Sequence, residues 1–379
     1  MTTLRVVVDQ VLAPVPGGIG RYTAELTRAL VAGAPRGCDV EGVVAAHPQA
    51  DYDRLTDLVP GLSHLTKSPL GRRELGLAWQ TGLLGLPGRG MVHATSLLAP
   101  LGRHDRGLNP GDQTVVTIHD TVPWTHPETL TPQGVRWHRA MAKRAHRFAD
   151  AVVVPTHAVA SELGDILPFG DRLRVIGGAV SDDLRVPADA DELAEQLDLP
   201  ERYVLSVGTL EPRKGIEPLI RALAHEDAPD LPLLVVGPEG WGDVRVDEIV
   251  ASAGLPPESV RVLGHVSDAQ LAVLLQRATV FVFPSLAEGF GLPVVEALSL
   301  GTPTIVSDAP ALVEVAADAA VVVPREDAAG YPARLAQAIF QVVTDLELSS
   351  RLGVAGLDRA RAYSWGDSAD KVWQLHADL

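Results

Sequence analysis

Short runs rich in Val, Ile and Leu alternate with helical stretches along the whole chain, and they do so in two successive series. In the first half the runs fall at Leu4–Asp9, Val40–Ala45, Met91–Ala94, Thr114–His119, Ala151–Pro155 and Leu173–Ile176. In the second half they fall at Tyr203–Gly208, Leu231–Gly237, Val260–Leu263, Thr279–Pro284, Thr304–Ser307 and Ala320–Val323. Strands that are apolar throughout must be covered on both faces, and strands separated by helices pair in parallel. The pattern predicts an α/β fold of two doubly wound domains, 1–180 and 181–362, with the boundary between Gly178 and Pro200, where Ser181–Leu197 is acidic. Ligands of such sheets bind beyond the carboxyl ends of the strands, so a site in a cleft between the domains is expected.

The length of 379 residues and 46% hydrophobic content give ample core for such domains. The net charge of −16 argues against general nucleic-acid binding, so no nucleic-acid partner is expected. Residues 1–180 carry 18 Lys and Arg against 16 Asp and Glu, and residues 181–379 carry 14 against 32. The first half is therefore the one suited to meet an anionic surface. Val135–Phe148 is its most basic segment, with Trp137, Met141 and Phe148 near one helical face and Arg136, Arg139, Lys143, Arg144 and Arg147 on the others. It reads either as a solvated helix with its apolar stripe on the core or as a peripheral contact with the inner membrane surface. The single cysteine, Cys38, is expected to be a buried inert thiol. No Cys/His cluster has zinc spacing, so no metal site is expected. The N-terminal residues run straight into a strand without the pattern of a signal peptide, and no run of 18 apolar residues occurs. A cytoplasmic protein is the expectation, at most peripheral on the membrane face.

The candidate chemistry sits at strand ends. Thr279–Pro284 leads through Ser285-Leu-Ala-Glu288-Gly-Phe-Gly-Leu-Pro293 into a helix that contains Glu296, with Pro293 placed at its first position. Free N–H groups at such a helix start bind an anion. Two acids beside an anion site are suited to hydroxyls on either side of a diphosphate, which is the layout of a nucleotide sugar. A surface Glu plus a helix-start Glu is the plainer reading. Gly17-Gly18-Ile-Gly20 opens a helix after the first strand and lets backbone approach a ligand, or is simply a turn. His119 and Asp120 close the strand begun at Thr114, and His119 either reaches a ligand or is a structural histidine capped by Asp120. Arg213 and Lys214 follow the strand ending at Gly208; they suit a diphosphate leaving group, Arg as a fork and Lys as a point charge, or form a solvated loop pair. His265 and Val266 end another strand before a helix capped by Ser267, and their main chain could meet a nucleobase.

These elements, in this order, resemble the retaining nucleotide-sugar glycosyltransferases of the GT4, or glycosyl transferases group 1, family, which includes bacterial mannosyltransferases. The resemblance covers nearly the whole chain, and its most specific part is the pair Glu288 and Glu296 enclosing Gly-Phe-Gly-Leu-Pro. It implies the GT-B architecture, and a last helix within 363–379 (Tyr363-Ser-Trp365 to Trp373 and beyond) that returns to the first domain. It implies that Glu288 bonds hydroxyls of the transferred sugar and that Glu296 binds the ribose. Gly289, Phe290, Gly291 and Leu292 would hold sugar and diphosphate through their main chain. Arg213 and Lys214 would neutralise the departing diphosphate, so that no metal or other cofactor is needed. His119 would contact the donor sugar, Gly17 and Gly18 would complete the phosphate cradle, and His265 and Val266 would flank the base. Gly208 and Thr209 stand where many members have Gly-Arg, a departure that Arg213 would make good.

The implied reaction is transfer of a hexose, mannose from GDP-mannose by preference, to a glycan or lipid-linked acceptor with retention of configuration. It would serve cell-surface polysaccharide or glycolipid synthesis. Acceptor contacts are expected from Lys67–Glu74 and Val135–Phe148. The absence of GxGxxG with an acid about 20 residues on argues against a nicotinamide dehydrogenase. A non-catalytic sugar-nucleotide-binding subunit and a GT-B-like epimerase are the remaining alternatives.

Overall fold

The computed structural model describes residues 2–379 except 83, 84, 87–89, 110, 241 and 243. The chain divides into two compact units, one of Met1–Pro127, Thr131–Gly178 and Ser364–Leu379, the other of Glu128–Leu130 and Ala179–Tyr363.

The first unit is built on a parallel sheet of β1 (Thr2–Val7), β2 (Cys38–Val44), β3 (His64–Lys67), β4 (Met91–Ala94), β5 (Gln113–Thr117), β6 (Ala151–Val154) and β7 (Leu173–Val175), in the order β3-β2-β1-β4-β5-β6-β7. The second carries β8 (Val204–Val207), β9 (Leu233–Val236), β10 (Val260–Gly264), β11 (Val280–Phe283), β12 (Thr304–Ser307) and β13 (Ala320–Val323), in the order β10-β9-β8-β11-β12-β13. Both are Rossmann-like. Strand order reverses between β1 and β4 in one sheet and between β8 and β11 in the other, and a crevice forms at each such point.

The strand β11 shows why these runs lack alternation. Val280 and Val282 pack into one apolar layer and Phe281 and Phe283 into the layer on the opposite face, and all four are buried. Successive side chains leave a strand on opposite sides, so a sheet covered by helices on both faces needs apolar residues at every position.

Twelve of the thirteen strands lie where the sequence places them; β3 was not anticipated. His64-Leu-Thr-Lys67 is an edge strand, with Leu65 and Thr66 only half-buried and the rest exposed, so burial never selected an apolar run there. Cys38, expected to be buried, begins β2 two residues ahead of the apolar run and is half-exposed. The strand β5 stops at Thr117, which leaves His119 in the following loop. The helix Pro132–Phe148 buries Met141, Ala142 and Ala145, whereas Phe148 lies beneath the guanidinium groups of Arg144 and Arg147 instead of on that stripe. Arg139 donates to Pro123 O and Arg144 to Leu101 O, so two of the five cations of this helix close off backbone carbonyls of their own unit.

The final helix, Trp365–Asp378, belongs to the first unit and is fastened there by its polar atoms as well as by packing. Trp373 Nε1 donates to Leu30 O at 3.2 Å, Ser368 Oγ to Gly177 O at 2.9 Å, and His376 Nδ1 lies 2.9 Å from Gln113 Oε1. Among the described residues no helix is long and apolar enough to cross a membrane.

Candidate active site

The loops that follow β8 and β11 meet at the reversal of strand order in the second unit. Two backbone features bring them together. Gly215 adopts φ +70°, and a Cβ there would stand 2.2 Å from Pro284 O, so only glycine lets the helix Ile216–Leu223 start against the end of β11. Leu286 N then donates to Arg213 O at 2.8 Å, tying one loop to the other.

This seam places Glu288 against both candidate cations. Lys214 Nζ donates to Glu288 Oε1 at 2.6 Å, and Arg213 Nη1 lies 3.1 Å from Glu288 Oε2 while donating to Ala287 O at 2.7 Å. Ser285 Oγ donates to Glu288 Oε1 at 2.6 Å. Glu211 adds a second, looser carboxylate 3.6 Å from Arg213 Nη2. The stem of Lys214 runs along Gly208, whose Cβ would meet it at 3.5 Å, and its ammonium sits 5.4 Å from the centre of the Phe283 ring.

Burial works against ionisation of Glu288, but Lys214 and Arg213 outweigh it and, with the bonds from Lys214 and Ser285, hold its carboxyl down to about 2. Burial lowers the pKa of Lys214 in turn, against the pull of Glu288. Glu288 is thus the internal counterion of two cations. Both of its oxygens are engaged within the fold, a constraint that residue type alone could not reveal.

Beside this cluster the helix Leu292–Ser299 begins, one residue earlier than Pro293 suggested. Its cap is Gly291 at φ +91°, where a Cβ would lie 2.6 Å from Leu312 Cδ2, and no side chain caps its N–H groups. Such a start is positive and donor-rich. Gly289, Phe290 and Gly291 are buried, and Glu296 is buried at 3% exposure on the first turns of the helix. The structure therefore unites Gly208, Arg213, Lys214, Glu288 and the stretch to Glu296. Thr209 is turned elsewhere, its methyl against Gly240 in the loop after β9. His265 is exposed and Val266 half-buried at the end of β10, two strands from β8 and so roughly 10 Å across the sheet.

The remaining predicted residues lie in the first unit. Gly17 and Gly18 are exposed at the opening of the helix Gly17–Ala32, where a Cβ on Gly17 would meet nothing within 4 Å. His119 is held by a main-chain carbonyl and not by Asp120: its Nε2 lies 2.7 Å from Thr95 O, and Asp120 Oδ1 instead accepts from Val122 N. Tyr22 packs edge-on against the imidazole at 4.8 Å. Burial lowers the His119 pKa despite Thr95 and Asp120, which favours the neutral ring. With a proton on Nε2 given to Thr95, Nδ1 is an acceptor, suited to a hydroxyl.

Two supporting residues escaped the sequence reading. Ser285 stands three residues before Glu288 directly after the strand, a spacing that could have marked it. Arg325, which donates to Leu286 O and pairs with Asp308, carries no local signal because it comes from 39 residues away. Among the described residues no group of three or more His, Cys, Asp or Glu is arranged to hold a metal ion.

Two such Rossmann-like units, with this seam in the second and a last helix in the first, define the GT-B class of glycosyltransferase. Residues 16–184 match the model of Glycosyltransferase Family 4, and residues 189–358 match that of Glycosyl transferases group 1. The chain is 32% identical to O-antigen chain mannosyltransferase B of Escherichia coli over 67% of each chain. It is 28% identical to alpha-maltose-1-phosphate synthase of Mycolicibacterium smegmatis over 95% of each. The structure of Anabaena HepE in complex with UDP-glucose aligns over 100% of both chains with a TM-score of 0.73 and 21% identity. The chain belongs to glycosyltransferase family 4, the glycosyl transferases group 1, and is a hexosyltransferase. That assignment removes the ground for a non-catalytic subunit or an epimerase.

Proposed function

We propose that this enzyme transfers mannose from GDP-mannose to a glycan or glycolipid acceptor, with retention of configuration and without a metal ion, in the synthesis of a cell-surface polysaccharide or glycolipid. The observation that carries the donor side is the Lys214–Glu288–Arg213 cluster beside the uncapped start of the helix Leu292–Ser299. Two cations and a row of N–H groups together suit a diphosphate. As the bond to the sugar breaks, negative charge grows on the diphosphate, and fixed cations lower the barrier because they need no reorganisation. Glu288, displaced in part from its cations by the diphosphate, turns oxygens to the sugar hydroxyls. Glu296 takes the ribose, His119 accepts from a sugar hydroxyl through Nδ1, and Gly17 and Gly18 approach the phosphates. Mannose is favoured by the Escherichia coli relative. Glucose from UDP-glucose is the second reading, supported by HepE, which was solved with that compound. The exposed Arg136, Lys143 and Arg147 of the helix Pro132–Phe148 would supply any peripheral contact with a cytoplasmic membrane face.

The test is thermal stabilisation by GDP, UDP, ADP and their sugars without metal, followed by transfer assays with the sugar nucleotide that binds. A rise with GDP-mannose that Glu296→Ala removes is the expected result. A rise confined to UDP-glucose replaces mannose by glucose, and no rise with any nucleotide sugar rejects the assignment of the cluster.

A further inference from the structure

The loop that carries Glu288 beyond the end of β11 is held by its main-chain carbonyls. Past the last strand bond a carbonyl loses its sheet partner, and a buried one left without another donor costs free energy. Here four in succession find a side-chain donor, each from a different part of the second unit. Tyr331 OH donates to Pro284 O at 3.1 Å, Ser307 Oγ to Ser285 O, Arg325 Nη1 to Leu286 O, and Arg213 Nη1 to Ala287 O at 2.7 Å. Tyr331 opens the helix Tyr331–Thr344, Ser307 ends β12, Arg325 follows β13 and Arg213 follows β8. Donors fixed to four separate elements hold a loop more tightly than exchanging solvent would, because any shift of the loop breaks several bonds together.

Arg325 is itself aimed. Asp308 Oδ1 accepts from Arg325 Nε at 2.5 Å and from Arg325 N at 3.2 Å, and Asp308 N donates to Val323 O at 3.1 Å. The guanidinium is thus oriented by the end of β13. Tyr331 and Ser307 are buried, at 2% and 0% exposure, so neither can touch a ligand. Of the four donors, Arg213 is the one that also faces the Glu288 carboxylate. With the carbonyl of Ser285 fixed, its Oγ meets Glu288 Oε1 at 2.6 Å, so the direction of the carboxylate follows from the course of the loop.

We propose that Tyr331, Ser307 and Arg325 are positioning residues for Glu288: they fix Pro284–Ala287 so that the carboxylate is presented to the donor sugar without reorganisation. The proposal rests on the reading that Glu288 bonds hydroxyls of the transferred sugar. Displacement of a catalytic group by about 1 Å can cost about 100-fold in rate, which is the scale on which such a frame acts.

The experiment compares the full-length protein with Tyr331→Phe, Ser307→Ala, Arg325→Lys, Arg325→Met and Glu288→Gln. Release of GDP from GDP-mannose, or of UDP from UDP-glucose, is followed with water and with methyl α-mannopyranoside as acceptors, well below the melting temperature of each variant. Calorimetric titration compares each sugar nucleotide with its nucleoside diphosphate. Arg325→Met is expected to lower kcat by about 10- to 100-fold, and Tyr331→Phe and Ser307→Ala by about tenfold, with smaller changes in affinity for GDP or UDP, which carry no sugar. Arg325→Lys keeps a cationic donor without the fork and should fall between wild type and Arg325→Met. In a Glu288→Gln background the same substitutions should cost less than about twofold more, because the group they position is gone. A merely structural role predicts lower melting temperatures with kcat unaltered in the folded protein. Wild-type kcat in both Arg325→Met and Tyr331→Phe overturns the proposal, as do losses that multiply fully with that of Glu288→Gln. Should Arg325→Met fail to fold, Arg325→Lys and Tyr331→Phe decide. Should release be too slow to follow, the affinity ratio of sugar nucleotide to diphosphate decides, and each variant should shift it in the same direction as Glu288→Gln. Wild-type turnover by Glu288→Gln itself would remove the donor-site reading, whereas an impaired Glu288→Gln beside unimpaired Arg325→Met and Tyr331→Phe removes the positioning role alone.

Discussion

Replacing Glu288 by Gln keeps the shape of the side chain and removes the charge that two half-buried cations share. The cost can be worked from the structure. Lys214, Arg213 and Ser285 hold the carboxyl at about 2 against an ordinary 4.5, in spite of burial. At about 1.4 kcal/mol per tenfold change in proton affinity, this corresponds to roughly 3 kcal/mol of stabilisation, of which the cost of burying Lys214 returns a part. A loss of about 2–3 kcal/mol follows for Glu288→Gln, equivalent to a fall of about 4–12 °C in melting temperature for a unit of this size. Differential scanning calorimetry on the full chain resolves it, and the transition of the second unit should move while that of the first stays. Adding Lys214→Met should recover part of the stability, because the stranded ammonium is gone, and should not recover transfer. The sign with pH is fixed by the depressed carboxyl: its stabilisation is complete above about pH 4.5 and is lost as pH falls toward 2. A Glu288→Gln variant that melts within a degree of wild type at pH 7 would refute the counterion role.

Other outcomes follow from single contacts. Lys214→Ala should lower kcat by about 100-fold or more if the ammonium stabilises the departing diphosphate, and wild-type turnover would rule that out. Gly215→Ala puts a Cβ 2.2 Å from Pro284 O at φ +70°; it should cost about 2 kcal/mol or more and weaken nucleotide stabilisation, and an unchanged melting curve would show that the seam is not tight. His93 and His376 are buried together, burial and then, for His93, the other histidine lowering their pKa values to about 3 and about 4. The unfolded chain therefore takes up protons below about pH 6.5 that the folded one refuses, so stability should fall from pH 6.5 toward 4. His376→Gln should flatten that fall in a melting-temperature series; an identical pH slope would contradict it.

The strand and helix series was legible because burial on both faces leaves a mark at every residue of a strand, as at Val280–Phe283. The strand that was missed, β3, is half-exposed at a sheet edge and carries no apolar run. The site was legible only as separate residues. Glu288 and Lys214 both stood out, one by its glycine-rich setting and the other by its place after a strand end. Their 2.6 Å contact did not, because 74 residues separate them and residue type says nothing about which strand ends become neighbours. The same holds for Asp9 and Arg72, joined across 63 residues.

By itself, then, the sequence determined what is local: two parallel α/β units, the glycine-opened helix after β11, and the residue types able to meet a sugar nucleotide. Periodicity and turn chemistry act over a few residues and are written there. Strand order was decided only in the folded chain. It placed β8 beside β11, turned Glu288 into the counterion of Lys214 and Arg213, and aimed His119 at Thr95 instead of Asp120. Electrostatics and hydrogen bonding depend on distance in space, and distance in space belongs to the topology.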